Sequence, residues 1–165
     1  MSVEPPGDGL DALQRELRGV APSRVALLAV GNRDRGDDGF GPAVADRLGD
    51  DLPGAVFDGG TAPENDLERV AEGNPEVVIL MDAVHFGGEP GELRVCDPEE
   101  LTAGGVSTHA GSLELSALFL GRACGARVLV LAAQPVAVGQ GDELSEQMQR
   151  AAERVAEALR AILLG

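Results

Sequence analysis

Three apolar runs constrain this chain more than any other feature of its sequence: VALLAV at 25–30, EVVILMDAV at 76–84 and ARVLVLAAQ at 126–134. None approaches the ~18–20 apolar residues that a membrane-crossing helix needs. None alternates apolar with polar residues, as a strand with one wet face would. Continuous apolar runs of this length are strands buried on both faces, and such strands belong to a mostly parallel sheet with helices covering it. The intervening stretches are long enough for those helices. With 165 residues, the chain has enough length for one ordinary domain with a real core.

The remaining elements follow from local pattern. Residues 1–8 are polar and rich in Pro and Gly, and read as loose. GLDALQRELR (9–18) predicts a short helix with Leu10, Leu13 and Leu17 on one face. Phe40, Val44 and Leu48 recur at i, i+4 and i+8, and Pro42 fits such a helix only in its first turn. AVFD (55–58) reads as a short strand and PENDLERVAEG (63–73) as a short helix. ELRVC (92–96) follows a Gly/Pro turn, which makes it a candidate antiparallel hairpin partner of the strand before it. Residues 109–123 read as helical. The last helix, 145–164, carries the stripe Leu144, Met148, Ala151, Val155, Leu159 and Ile162, with Ser145 as N-cap and Gly165 as stop.

Charge narrows the function. The chain has 28 acidic and 13 basic residues, a net charge of -15, and every basic residue is arginine. DNA, RNA and anionic membranes would be repelled. There is no tryptophan or tyrosine, so platforms for base stacking are missing as well. The acidity suits either a plain solvated surface or adaptation to high salt. The N-terminal residues carry neither a basic nor an apolar signal region, which predicts a cytoplasmic location. Cys96 and Cys124 are far apart, outside any CxxC, and read as reduced thiols packed as small hydrophobes.

Right-handed crossovers gather the loops that follow parallel strands at one sheet edge, so chemistry is sought there. Gly36-Asp37-Asp38-Gly39 follows the first strand, Asp82 ends the 76–84 run, and Ser107-Thr108-His109 opens the following helix. Asp82 at the tail of an apolar strand faces a desolvation cost of several kcal/mol unless something pairs with it, and backbone N–H groups of a neighbouring loop would suffice. One of Asp37 and Asp38 can cap the next helix; the other is left over. His109 is one of two histidines, and His85, three residues past Asp82, is the rival. Two aspartates and a histidine from separate loops make an O,O,N set suited to a borderline divalent ion such as nickel or zinc. GDDGFG lacks the GxGxxG pattern, and its acids oppose phosphate binding.

These segments resemble a known family. VGNRDRGDDGFGPAVADRL is similar to the opening motif of the hydrogenase maturation endopeptidases, G-N-x-x-x-G-D-D-G-x-G. DGGTAPENDL (58–67) resembles their Asp-x-Gly-Thr/Ser motif, in the form of the hydrogenase 3 branch. ILMDAV, GELRVCDPEEL (91–101), STHAGSL and AAQPVAVGQGDELS match the later motifs in order. The likeness runs from about residue 24 to the C-terminus. Residues 1–22 stand outside it as a partly helical N-terminal extension, before a single maturation protease domain over 23–165.

The resemblance implies a three-layer α/β/α sandwich of the phosphorylase/hydrolase-like kind, with a mostly parallel five-stranded twisted sheet and one antiparallel strand. It implies an aspartic-type endopeptidase that removes the C-terminal extension of a nickel–iron hydrogenase large-subunit precursor once nickel is inserted. The nickel would arrive on the substrate. Asp38, Asp82 and His109 would contact it, Asp38 and Asp82 would be catalytic, and Asp58, Gly59, Gly60 and Thr61 would form the loop that selects the substrate. His85 matches no motif position. Two other readings use the same residues: a hydrolase with its own zinc, and a protein that binds a nickel site without cutting.

Overall fold

The computed structural model describes residues 8–52, 55–104, 109–136 and 141–165. The three apolar runs form its centre as β1 (Val25–Ala29), β3 (Val77–Ala83) and β5 (Arg127–Ala133), side by side and parallel. β2 (Ala55–Asp58) adds a parallel strand beyond β1, and β4 (Leu93–Cys96) runs antiparallel along β5. The sheet order is β2-β1-β3-β5-β4. Every residue of β1 and β3 is buried, as strands covered on both faces must be.

Successive side chains of β1 enter different cores. Val25, Leu27 and Ala29 pack with α1 (Gly9–Leu17), α2 (Phe40–Leu48) and α6 (Glu146–Leu164). Ala26, Leu28 and Val30 pack with α3 (Leu67–Glu72), α4 (Pro98–Gly104) and α5 (Ala110–Cys124). The period of two along a strand thus divides the helices into two layers, and the protein is the expected α/β/α sandwich. Among the described residues, no helix is long and apolar enough to cross a membrane.

The local expectations meet the structure in detail. Ser145 caps α6 by accepting a hydrogen bond from Met148 N at 3.4 Å. Pro42 lies in the first turn of α2. The 63–73 segment is a short 3-10 turn (Pro63–Asp66) running into α3. Cys96 is buried and Cys124 half-buried, and neither is in a disulfide. Helix α4 has no counterpart in the sequence reading. In α1, Leu13 and Leu17 enter the core, and Asp8 both caps the helix and pairs with Arg154 of α6. Gly9 lies so close to β4 that a Cβ there would stand 2.4 Å from the Leu93 carbonyl oxygen.

One expectation fails. β4 is not the hairpin partner of β3, because β5 lies between them. Both edges of β3 are occupied by parallel neighbours, β1 and β5. The 84–92 connection instead carries the chain past the end of β5, where Gln134 holds it. The Gln134 side-chain oxygen accepts from Phe86 N (2.8 Å) and Gly88 N (3.2 Å), and its carbonyl accepts from Gly91 N (2.8 Å).

Gly41 sets how closely α2 approaches the ends of the strands. A Cβ at this position would stand 2.3 Å from the Met81 carbonyl oxygen and 2.6 Å from that of Val30. Overpacking of this kind costs about 2 kcal/mol or more. Gly41→Ala is therefore expected to lower the thermal midpoint by roughly 4–8 °C for a domain of this size. Thermal unfolding of the two proteins, followed by circular dichroism, checks this.

Candidate metal centre

The site is built at the edge where β1 and β3 end. β1 gives way to Gly31, whose φ of +143° suits a residue without a side chain. A Cβ at Gly31 would lie 2.0 Å from the carbonyl oxygen of Asp38, so only glycine lets the chain fold back this tightly. The loop then forms a short 3-10 turn, Gly36–Gly39, that leads into α2.

The two acids of that turn have separate partners, and neither caps α2 with its side chain. This corrects the capping expectation. Asp37 is buried and turned toward the segment between β5 and α6. Its Oδ1 accepts from Ser145 N (2.7 Å), and its Oδ2 accepts from Val136 N (2.8 Å) and Ser145 Oγ (2.9 Å). Asp38 faces the opposite way. Its Oδ2 accepts from Asn32 N at 2.9 Å, and its Oδ1 lies 3.5 Å from His109 Nε2.

Asp82 is the next-to-last residue of β3 and is fully buried. His109 is half-buried at the cap position of α5. One ligand atom from each of Asp38, Asp82 and His109 lies within 4.8 Å of the others. Donors that share an ion at about 2.0–2.2 Å lie roughly 3–4.4 Å apart, so side-chain adjustment would be needed to close this set on one metal. Two carboxylate oxygens and an imidazole nitrogen suit a borderline divalent ion and leave coordination positions for a substrate atom or water. His85 is outside the group. It is exposed, with Nδ1 3.4 Å from Gln134 Nε2. Ser107 and Thr108 lie outside the described residues.

The pair shifts its own titration. The hydrogen bond from His109 to Asp38 raises the imidazole pKa above 6.5. Burial works against this, the charges of Asp82 and Asp38 add to it, and Arg35 opposes it. For Asp38, burial pushes the carboxyl upward. The His109 hydrogen bond, the Asn32 N–H and the charges of His109 and Arg35 outweigh burial, so its pKa falls below 3.8.

The DGGT residues lie beside this centre. Gly59 N donates to the Ala29 carbonyl and Gly31 N to that of Gly60, both at 2.8 Å, which ties the 58–61 loop to the end of β1. Asp58 Oδ1 accepts from Gly60 N at 3.2 Å. Arg33 holds Asp46 with both Nη atoms and reaches Asp58 as well. Asn32, Arg33, Asp58, Thr61, Asn65 and Asp66 face a cleft of about 460 Å³. The sequence reading missed the roles of Asp37 and Arg33. Their partners are distant in sequence and carry no local signal; Ser145 is 108 positions from Asp37.

Comparison with known proteins places this geometry. The family model HycI, described as hydrogenase maturation protease, matches residues 44–162, a span that includes Asp82 and His109. The hydrogenase 3 maturation protease of Escherichia coli K12 is 43% identical over 77 residues, 46% of this chain and 49% of that protein. The chain therefore matches about half the length of this curated relative. The crystal structure of a nickel–iron hydrogenase maturation protease, HycI from Thermococcus kodakarensis KOD1, is similar with a TM-score of 0.82 and 33% identity, over 93% of this chain and 99% of that one. The solution structure of the endopeptidase HycI from Escherichia coli gives 0.72 and 32%, over 83% and 89%.

Two predictions follow from the division between the acids. Asp37→Ala removes a charged acceptor from three donors, and bonds to charged groups are worth about 1.5–3 kcal/mol each. Allowing for non-additivity, the loss is about 3 kcal/mol, or roughly 6–12 °C in thermal midpoint. Asp38→Ala leaves the α6 contacts intact and is expected to lower the midpoint much less. The second concerns pH in metal-free protein. A histidine whose pKa is raised on folding stabilises fully below its unfolded value, and this contribution fades as pH rises through the folded value. Stability should therefore decline as pH rises from about 6.5. His109→Gln should flatten that decline, as measured by denaturant midpoints across the range.

Proposed function

Because the chain belongs to the hydrogenase maturation protease family, we propose that it is an endopeptidase that removes the C-terminal extension of a nickel–iron hydrogenase large-subunit precursor after nickel insertion. The observation that carries this reading is the O,O,N set of Asp38, Asp82 and His109, whose ligand atoms lie within 4.8 Å of one another. The likeness to the hydrogenase 3 maturation protease favours a precursor of that type.

The nickel is part of the substrate. The precursor presents its metal to Asp38, Asp82 and His109, and the two carboxylates lose their mutual repulsion against it. His109 must give up any proton it shares with Asp38 to become a ligand, so docking is linked to proton release. A precursor without nickel brings no cation to these buried carboxylates and so lacks that attraction on docking. With the metal seated, the scissile peptide is aligned beside the carboxylates. One of them takes a proton from the attacking water as general base and returns it to the leaving amine, which makes the enzyme aspartic in type. Asp58, Gly59, Gly60 and Thr61 line the adjoining cleft and select among extensions.

The test is incubation of nickel-loaded precursor with wild type, Asp38→Asn, Asp82→Asn and His109→Ala, read by intact mass. Wild type should remove the extension. Each variant should be at least ~100-fold slower, as loss of a general base or an aligning ligand implies. Full-rate cleavage by both Asn variants would sink the assignment. Stoichiometric zinc in the purified protein would point instead to a hydrolase with its own metal. A stable complex with precursor mass unchanged would point to a non-cutting binder.

A further inference from the structure

Helix α5 exposes more apolar surface than its own packing requires. Leu113, Ser116 and Leu120 form its buried row. On the outer side, Leu115 is 67% exposed, Leu118 51% and Phe119 39%. Polar residues of equal helix propensity would serve at such positions, so three neighbouring large hydrophobes are a recognition feature rather than a helix-forming one. With Leu67 of α3 and Arg122, they line a groove of about 550 Å³.

The position of the groove indicates what fills it. Both of its walls begin at the metal centre. α5 starts immediately after His109, and Leu115 is only about 9 Å further along the helix axis. α3 grows out of the turn that ends in Asn65 and Asp66, which line the cleft beside Asp58. That turn also packs against α5. A continuous track therefore leads from Asp38, through Asn32 and the cleft, to Leu67 and the groove. A protein seated at His109 and the cleft is therefore a neighbour of the groove.

Charge separates the possible occupants. The groove itself is lined by apolar residues and Arg122, and Leu115, Leu118 and Arg122 also border a hollow that holds Asp97, Glu99 and Glu114. A second copy of this chain would bring two net charges of -15 together, which opposes self-association. We propose that the α3–α5 groove docks an apolar segment of the same large-subunit precursor whose metal enters the centre. This rests on the peptidase reading above and adds a second contact site for its substrate.

The test uses Leu115→Asp and Leu118→Asp, with Leu118→Met as the conservative change. Leu164→Asp, at the exposed end of α6, is the surface control. All three substituted residues are exposed, so unchanged thermal midpoints and unchanged nickel affinity verify that the fold and centre are intact. Cleavage of nickel-loaded precursor should show KM raised at least tenfold by either α5 Asp variant, kcat within twofold of wild type, and near wild-type behaviour for Leu118→Met and Leu164→Asp. If wild type cleaves and the α5 variants keep its KM, the groove assignment is overturned, and a change in their self-association would reassign the face to a second copy. If wild type fails to cleave, precursor binding by calorimetry decides. Binding lost only in the α5 variants upholds the groove while the peptidase reading fails; absence of binding to wild type overturns both.

Discussion

A carboxylate withdrawn from water has to be met by donors, and at Asp37 this requirement organises the working edge of the protein. Its donors include Val136, just past β5, and Ser145, at the head of α6. The turn after β1 and the entry to α6 are thereby fixed to each other across the end of the sheet. α6 packs against α2, and α2 follows the same turn, so the arrangement closes on itself. The turn spans only Gly36–Gly39, and holding Asp37 on one side orients its neighbour toward the other. Asp38 faces Asn32, His109 and Asp82 because Asp37 is committed elsewhere. The adjacent acids thus divide, one toward α6 and one toward the Asp82–His109 group.

The rest of the charge does more modest work. Arg154–Asp8 and Arg127–Glu16 link α1 to α6 and to the start of β5, and Arg160 joins α6 to the end of α2 through Asp51 and the Arg47 carbonyl. Exposed pairs of this kind contribute about 0–1 kcal/mol each, so they orient the helices more than they stabilise them. α1 is held chiefly by Leu13 and Leu17 in the core and by the close approach of Gly9 to β4.

What was legible in the sequence was what local pattern controls. β1, β3 and β5 could be read because burial on both faces leaves an unbroken apolar run. α6 could be read from its stripe and its Ser145 cap. Asp38, Asp82 and His109 were nameable because strand ends in a parallel sheet converge on one edge, and the motif resemblance said which acid of the pair to choose. The place of β4 was not legible. A Gly/Pro turn signals reversal, but whether the returning strand joins β3 or crosses to β5 depends on which edge the other strands leave open. The role of Asp37 was hidden for a related reason, since Ser145 becomes its partner only after the sheet has formed. The exposed row on α5 was hidden among buried leucines with the same spacing until the packing separated Leu113 and Leu120 from Leu115 and Leu118.

On the proposed reading, the metal reaches the centre on a polypeptide rather than from solution. The imidazole pKa is raised by Asp38, so a metal that binds the neutral ring competes with a proton for it. A metal carried by a protein that also occupies a second surface meets the same donors at an effective concentration in the millimolar range, because the second contact has already been made. The metal contact and the groove contact thus support each other on that reading. On the proposed reading, cleavage depends on both contacts, and neither needs to be tight by itself.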